Sequence, residues 1–421
     1  LPNPERIYKA YPHELSGGQR QRVMIAMAIS CNPKILIADE PTTALDVTVQ
    51  RTILDLIKHL QKEIGLSCIF ISHDLGVIAE VCDEVVVMYQ GEIVEKGTVQ
   101  EIFENPKENY TKGLIACRPR LDIRQKDLPT IADYLKNENY QSEIYTSEER
   151  QAFHQEIYSQ TPILEVKNLS KYFYSKPSLL GKEEVSVKAV DDVSFKVYPG
   201  ETMGLVGESG SGKTTLSRTV LLLEKPTEGE IFYHGKDIVK LSKGEVRKLR
   251  KEIQIIFQDP YSSLNPRMNI SEILTSPMKV HSIGKNQKER IKRAGDLLEK
   301  VGLSRSDLKK YPHEFSGGQR QRIGIARALA LHPKFIICDE SVSALDVSVQ
   351  AQVLNLLNDL KEEFGLTYIF ISHDLAVVKY MSDQLLVMQH GQQKELGDAD
   401  EIYANPTTQY TKDLIEAIPK L

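Results

Sequence analysis

The chain repeats a long stretch of its own sequence at a constant offset of 300 positions. Residues 11–22 read YPHELSGGQRQR and residues 311–322 read YPHEFSGGQRQR, so they differ only at Leu15 and Phe315. The same offset continues without a gap toward the C-terminus, where Asn405 corresponds to Asn105. Self-similarity of this extent predicts two copies of one domain, and 421 residues exceed what one compact core contains.

We therefore predict three segments. Residues 1–118 are the C-terminal part of a first domain, residues 119–161 a linker, and residues 162–421 a complete second domain. The linker is rich in Asn, Glu, Gln, Tyr and Lys and lacks a sustained apolar period, so it is predicted to be a tether with one loose helix. The chain does not begin with Met, and we expect it to be part of a longer product.

A phosphate-binding loop is predicted in the second copy. Residues 207–214 read GESGSGKT and fit the pattern G-x-x-x-x-G-K-[ST], between the short apolar run 202–206 and a predicted helix. The glycines let the backbone turn and direct its N–H groups at phosphate oxygens, and the helix N-terminus adds partial positive charge. Lys213 is expected to reach the β- and γ-phosphates and Thr214 to place its hydroxyl on Mg²⁺. The alternative is a Gly/Ser-rich loop that ends in an ordinary lysine.

This loop occurs once in the sequence, although the other motifs occur twice. In both copies an apolar run ends in Asp-Glu, at residues 34–40 and 335–340. Another apolar run is followed directly by Ser-His-Asp, at residues 67–74 and 367–374. Because buried parallel strands carry sites at their carboxyl ends, alternation with helices predicts a doubly wound α/β sheet. The first copy's phosphate loop would lie before Leu1.

Two local elements are also predicted. Ser16 and the glycines after it open a helix through Ile29. Residues 186–190 and 193–197 alternate apolar and polar side chains, which predicts an antiparallel hairpin.

Composition excludes several classes of function. The net charge of −5 gives no reason to expect a nucleic-acid partner. No apolar run approaches the roughly 18–20 residues of a membrane span, so we expect a soluble or peripheral protein. The five cysteines are scattered without C-x-x-C spacing, which predicts neither a zinc site nor a disulfide framework.

Taken together, these motifs resemble an ABC-type ATPase. The resemblance rests on one phosphate loop, Gln258, Ser-Gly-Gly-Gln, Asp-Glu, Ala-Leu-Asp and Ser-His-Asp in fixed order, and it covers nearly everything except the linker. It implies an α/β P-loop NTPase fold of the ABC ATPase type in two tandem copies, the first lacking its N-terminal part. More narrowly, residues 258–266 (QDPYSSLNP) and the Asn-Pro…Tyr-Thr tails resemble importers of dipeptides, oligopeptides, nickel and glutathione.

Two departures from that importer pattern concern the tails and one turn. The family's usual His-Pro-Tyr-Thr is Glu-Asn-Tyr-Thr at residues 108–111 and Thr-Gln-Tyr-Thr at residues 408–411. Some relatives carry a cysteine cluster after this tail; this sequence has none, so no iron–sulfur centre is predicted. The proline that usually follows the catalytic glutamate is present as Pro41 but replaced by Ser341 in the second copy.

The resemblance implies a role for each motif residue. Glu340, which orients the attacking water, His373, which contacts the γ-phosphate, and Lys213 are the predicted catalytic residues. Thr214, Gln258 and, through water, Asp339 are the predicted Mg²⁺ ligands. The predicted ATP-binding residues are Phe173, Gly207, Glu208, Ser209, Gly210, Ser211, Gly212, Lys213, Thr214, Thr215 and Gln258. Phe173 would stack on adenine, with Tyr172 as the alternative. The non-functional interpretation of Phe173 is a core or strand-edge aromatic, and that of His373 is a buried structural histidine.

The resemblance also implies that each signature helix acts in trans, on ATP held by the opposite copy. The predicted trans residues are Ser16, Gly17, Gly18, Gln19 and Asp46 in the first copy and Ser316, Gly317, Gly318 and Gln319 in the second. The first-copy equivalents of the catalytic residues are Asp39, Glu40 and His73. The two domains are thus expected to form a pseudo-dimer in one chain.

The implied function is that of an energy-coupling subunit of an importer. It would hydrolyse ATP with Mg²⁺ and move peptides or similar small solutes through separate transmembrane permease subunits, served indirectly by an extracytoplasmic solute-binding protein. The expected location is peripheral, on the cytoplasmic side of the cell (inner) membrane. A ribosome-associated tandem ABC ATPase is the alternative, although its linker is usually long, helical and strongly charged. A DNA-repair ABC ATPase would carry zinc-binding cysteine pairs or coiled-coil insertions, which this sequence lacks.

Overall fold

The structure is a computed structural model that describes residues 4–42, 47–137, 140–174 and 185–418, without the side chains of residues 47, 48, 260 and 262. Its strands are β1 (Ile35–Asp39), β2 (Ser67–Ile71), β3 (Glu84–Tyr89), β4 (Glu92–Thr98), β5 (Leu164–Tyr174), β6 (Val185–Val197), β7 (Thr202–Val206), β8 (Glu228–Tyr233), β9 (Lys236–Asp237), β10 (Ile253–Ile256), β11 (Phe335–Asp339), β12 (Thr367–Ile371), β13 (Gln384–Gln389) and β14 (Gln392–Asp398).

The α-helices are α1 (Pro4–Lys9), α2 (Gly17–Ile29), α3 (Val47–Ile64), α4 (Leu75–Val81), α5 (Val99–Glu104), α6 (Asn109–Ala116), α7 (Ile131–Lys136), α8 (Ser147–Tyr158), α9 (Lys213–Val220), α10 (Lys243–Glu252), α11 (Pro260–Ser263), α12 (Ile270–Val280), α13 (Gln287–Lys300), α14 (Gly317–Leu329), α15 (Val347–Phe364), α16 (Leu375–Met381), α17 (Ala399–Ala404) and α18 (Gln409–Glu416). Short 3₁₀ helices cover Pro12–Glu14, Arg305–Lys309 and Pro312–Glu314.

A six-stranded sheet in the second copy has the order β10-β11-β12-β7-β13-β14. The strands from β10 to β13 are parallel and β14 is antiparallel to β13. Every residue of β7, β11 and β12 is buried, as expected for apolar strands covered on both faces. The predicted parallel strands are therefore confirmed, and their carboxyl ends meet at one edge.

A second sheet, with the order β6-β5-β8-β9, is antiparallel and packs its apolar side chains with those of β7 and α9 in one core. The hairpin predicted within residues 186–197 is wrong, because β6 is one continuous strand that pairs with β5. Asp192 has a φ of 57° and the register of the pair shifts beside it. A local irregularity of this kind bends a strand without reversing its direction.

In the first copy the described strands pair as β1-β2 and β3-β4. One face of the β1-β2 pair is open, since Ile35, Ile37, Ile69 and Ile71 are 47–65% exposed. Their counterparts at offset 300 are at most 3% exposed, because the antiparallel sheet and α9 cover them. Similar strand sequences thus lie in two different environments.

The segment between the copies is docked on the second copy. It contains α7 and α8, and Leu128 and Ile157 are 1% and 3% exposed. Arg150 Nη1 lies 2.7 Å from Asp383 Oδ1, and Arg124 Nη1 lies 3.1 Å from Asp400 Oδ2. The prediction of a loose tether is therefore wrong. The polar composition includes charged side chains that form ion pairs with the second copy.

The contribution of this docked segment to the stability of the fold is expected to fall as pH rises. The Asp383 and Asp398 carboxylates, 3.9 Å from Nε2 and 3.1 Å from Nδ1, raise the pKa of His154 from 6.5 to about 9. The stability that His154 contributes is complete below pH 6.5 and is lost as pH rises through about 9. Burial raises the pKa of Glu201 from 4.5 to about 8. The ionisation of Glu201 therefore also lowers the free energy of unfolding as pH rises through about 8.

The urea midpoint of unfolding should therefore fall between pH 6.5 and pH 9.5. In His154→Gln the fall should be smaller, with Glu201 supplying the remaining slope. Equal slopes in the wild type and the variant would show that the His154 contacts do not stabilise the docked segment.

Candidate functional site

The phosphate loop, β6 and the carboxyl ends of the parallel strands enclose a cleft of about 690 Å³ in the second copy. It is lined by Phe173, Val187, Lys188, Ala189, Ser209, Gly210, Gly212, Lys213, Thr214, Thr215, Gln258, Glu340, His373 and His390. Most of these residues were predicted from motifs far apart in sequence. The structure therefore brings the separate motifs of the second copy together at one place.

Two glycines of the loop are required by its path. Gly207 and Gly212 have φ angles of 146° and 105°, which side-chain-bearing residues rarely adopt. A Cβ atom at Gly207 would lie 2.1 Å from the carbonyl oxygen of Met388, and one at Gly212 would lie 2.1 Å from that of Ala189. The loop consequently packs against the backbone of β6 and β13. Its residues Ser209, Gly210 and Thr214 line the cleft.

Lys213 begins α9 at the floor of the cleft and is only 6% exposed. Its Nζ donates hydrogen bonds to the carbonyl oxygens of Gly207 at 2.6 Å and Glu208 at 2.9 Å. These carbonyls compensate for removing the ammonium group from water. The cation is thus held under the loop, next to the N-terminus of a helix, where an anionic ligand is favoured.

Asp339, at the end of β11, lies next to Thr214 but is not itself a residue that lines the cleft. Their side-chain oxygens Oδ1 and Oγ1 are 3.5 Å apart, and Asp339 is 7% exposed. Burial and the neighbouring Glu340 charge raise the pKa of Asp339. A carboxylate in this setting gains from a nearby cation, because a positive charge offsets both effects.

Glu340 projects from a strained position directly after β11. Its φ is 48°, and its Oε2 accepts a hydrogen bond from Gln258 Nε2 at 2.6 Å. His373 Nδ1 lies 3.6 Å from the same oxygen. The His373 contact lowers the pKa of Glu340 despite burial. For His373, burial opposes protonation, but the nearby Glu340 carboxylate outweighs burial and raises the pKa of His373. The arrangement supplies a carboxylate whose ionised form is favoured, next to an imidazole ring.

The turn after Glu340 is closed although it lacks the usual proline. Ser343 donates two hydrogen bonds to the Glu340 carbonyl oxygen, from its N at 3.3 Å and its Oγ at 2.9 Å. Ser341 is 3% exposed and its Oγ has no hydrogen-bond partner among the described residues. The backbone of Glu340 is therefore held from the Ser343 side of the turn.

The side chains predicted to ligate Mg²⁺ supply a suitable donor set. The Thr214 hydroxyl, the Gln258 amide and the Asp339 carboxylate provide oxygen atoms, which this ion prefers. Mg²⁺ usually keeps several waters and substrate phosphate oxygens, so a small protein set suffices. Within the described ranges, no group of three or more His, Cys, Asp or Glu residues could hold an ion by itself.

Phe173 lies at the rim of the cleft and is 40% exposed. Lys171 Nζ sits 5.1 Å from the centre of its ring. Tyr172 is not a lining residue, and its hydroxyl donates to Asp191 Oδ1 at 2.7 Å. The geometry therefore favours Phe173 over Tyr172 as the aromatic face available to a ligand.

Both signature segments form capped helix N-termini. Gln19 N donates to Ser16 Oγ and Gln319 N to Ser316 Oγ, each at 3.3 Å. Neither segment contributes to the lining of the cleft. Asp46 lies outside the described residues. Within this chain, the described signature residues and the cleft are thus not brought together.

The first-copy equivalents reproduce the local geometry of the second copy. Glu40 follows Asp39 with a φ of 46°, and its Oε1 lies 3.1 Å from His73 Nδ1. Four residues that line the second-copy cleft were not predicted from sequence: Val187, Lys188, Ala189 and His390. The first three lie on β6 and His390 lies in the turn after β13, and no motif in the sequence marks them as neighbours of the phosphate loop.

Two family models match the chain. The model described as "ABC transporter" matches residues 2–43 and 190–343. The model described as "Oligopeptide/dipeptide transporter, C-terminal region" matches residues 94–142 and 395–421. The glutathione import ATP-binding protein GsiA of Escherichia coli O157:H7 is 50% identical over 420 residues, which is 100% of this chain and 66% of that protein.

The chain belongs to the ABC transporter family. GsiA of Shigella dysenteriae serotype 1 shows the same identity and coverage, so this ABC protein spans just under two thirds of the length of these relatives. Among solved structures, cbiO1 from Clostridium perfringens, part of the ABC transporter complex cbiONQ, matches with a TM-score of 0.50 and 28% identity. The match covers 58% of this chain and 92% of that one. The predicted family and fold are thereby confirmed. In the described part of the chain, no helix is long and apolar enough to cross a membrane.

Proposed function

We propose that this ABC protein hydrolyses ATP as the energy-coupling subunit of an importer for peptides or similar small solutes. The observation that carries the proposal is the meeting of the phosphate loop, Gln258, Glu340 and His373 in one cleft. The glutathione importers that match the whole chain support an importer over a ribosome-associated ATPase. Glutathione, itself a small peptide, falls within the proposed class of solutes.

The phosphates are proposed to lie on the loop, where the backbone N–H groups of Gly210, Gly212 and Thr214 and the Lys213 ammonium neutralise their charge. Phe173 provides a face for adenine at the cleft rim. Mg²⁺ would supply charge neutralisation between phosphate oxygens, held by Thr214 and Gln258 and, through water, by Asp339.

Glu340 is proposed to orient and polarise the attacking water. Its depressed pKa keeps it an acceptor, and the Gln258 hydrogen bond and the Ser343 contacts fix its direction. His373, on the other side of the same carboxylate, would donate toward the charge that develops on the transferred phosphoryl group.

Closure of the site is proposed to require the first copy. The signature helix α2 presents free N–H groups and a positive helix end at Ser16, which favour an anion. The sequence contains one phosphate loop, so a pseudo-dimer of the two copies would place α2 opposite it. Permease subunits would bind the ATPase at the cytoplasmic side of the cell membrane, with a solute-binding protein acting indirectly. No nucleic-acid partner is proposed.

Lys213→Ala tests the function. Removing the buried cation should weaken ATP binding by about 100-fold or more, because charged hydrogen bonds to phosphate contribute about 1.5–3 kcal/mol and the loop also loses its internal ties. Equilibrium dialysis with labelled ATP and Mg²⁺ measures the affinity, and phosphate release measures hydrolysis. A wild-type chain that neither binds ATP nor releases phosphate would refute the proposed function.

A further inference from the structure

The Tyr-Thr tail of the second copy contacts the phosphate loop directly. The Tyr410 hydroxyl, on α18, accepts a hydrogen bond from the backbone N–H of Glu208 at 3.0 Å. The two residues are 202 positions apart in sequence. The Tyr-Thr motif, to which no role was assigned from sequence, thus contacts the phosphate loop.

The tail that carries Tyr410 is anchored to the sheet. Glu395, on β14, accepts hydrogen bonds from the backbone N–H groups of Thr407 at 2.9 Å and Thr408 at 3.4 Å. Burial opposes the charge on Glu395, but these hydrogen bonds outweigh it and lower its pKa. Thr411 and Leu414, on α18, are 1% and 5% exposed. The Tyr410 hydroxyl is therefore presented by a rigid support.

The backbone of Glu208 is held on both sides of its Cα atom. Its carbonyl oxygen accepts hydrogen bonds from Ser211 N at 3.1 Å and Lys213 Nζ at 2.9 Å. Its N–H is held by Tyr410. The preceding residue, Gly207, has a φ of 146°, so the loop turns sharply just before Glu208. Fixing the two peptide units that flank the Glu208 Cα sets the direction in which the following loop residues continue.

We propose that Tyr410 is a positioning residue that holds the phosphate loop in its binding conformation before ATP arrives. It holds the Glu208 N–H at the entry of the loop, before the residues Gly210, Gly212, Lys213 and Thr214 that line the cleft. The inference rests on the proposed function and adds to it that the C-terminal tail supports nucleotide affinity. Preorganisation of this kind lowers the cost of ordering the loop on binding.

The first copy repeats the anchor. Glu95, at offset 300 from Glu395, accepts hydrogen bonds from the backbone N–H groups of Lys107 at 2.8 Å and Glu108 at 3.3 Å. The ring of Tyr110 packs against that of Tyr89, with centres 4.6 Å apart. The anchored tail is thus a property of each copy, and in the second copy it carries the Tyr410 contact to the phosphate loop.

Tyr410→Phe tests the inference, since it removes only the hydroxyl. One hydrogen bond contributes about 0.5–1.5 kcal/mol, so the Kd for ATP should rise about 2- to 12-fold, while kcat at saturating ATP stays within about twofold. Tyr403→Phe is the matched control. It removes a hydroxyl on the adjacent helix α17, which donates to the Leu375 carbonyl and not to the loop. We expect it to change thermal unfolding without changing the Kd.

The outcomes separate the two claims. If the wild-type chain does not bind ATP, the proposed function fails and this inference fails with it. If the wild type binds ATP and Tyr410→Phe has the same Kd, only the positioning role of Tyr410 is refuted. An equal rise in Kd for Tyr403→Phe would assign the effect to general loosening of the tail and would also overturn the inference.

Discussion

Glu340→Gln is expected to lower the ATP turnover rate by about 100-fold or more while leaving ATP bound. The substitution keeps the shape of the side chain and removes the negative charge that polarises water. Glu340 is not part of the loop that cradles phosphate, so the affinity for ATP should be retained. Phosphate release under saturating Mg²⁺ and ATP measures the first effect, and equilibrium dialysis measures the second.

Glu40→Gln provides the matched control. Glu40 has the same left-handed backbone conformation and the same histidine contact as Glu340. The sequence carries no phosphate loop for the first copy, so this variant should retain turnover within about twofold. A loss of ATP affinity in Glu340→Gln as large as that in Lys213→Ala would contradict the separate roles assigned to the two residues.

Ser16→Arg is expected to reduce phosphate release to background, whereas Ser316→Arg should leave most of it. A bulky cation at the start of α2 would block closure of the signature helix on the phosphate bound in the second copy. Both serines cap their helices with the same geometry, so each substitution costs a similar cap energy of about 1 kcal/mol. A difference in activity between the variants would therefore report the position of the signature and not helix stability.

The rival arrangement pairs two chains through their second copies. It would place Ser316 of one chain opposite the phosphate loop of another, and it predicts the reverse result. Loss of activity in Ser316→Arg with activity retained in Ser16→Arg would refute closure within one chain and support the homodimer.

The parallel strands and the phosphate loop could be predicted from sequence because each depends on neighbouring residues. Continuous apolar runs ending at Asp339 and Ile371 leave few alternatives to buried strands, and the glycine spacing of residues 207–212 is tied to the path of the loop. The constant offset of 300 then located the equivalent motifs in the first copy.

The docked linker and the tail contact could not be predicted, because they depend on partners that are distant in sequence. Arg150 and Asp383 are 233 positions apart, and a single charged residue does not reveal its partner. The Asp191-Asp192 pair has the composition of a turn, yet pairing with β5 keeps β6 extended through it. For these features, tertiary contacts override the local pattern.

The most direct test of the account is the amount of ATP bound by Glu340→Gln in the presence of Mg²⁺. We expect one ATP per chain, since one phosphate loop is present, and we expect the bound ATP to disappear when Lys213→Ala is added to the same chain. Equilibrium dialysis with labelled ATP gives the stoichiometry. No binding by the single variant, or full binding by the double variant, would contradict the assignment of this cleft as the ATP site.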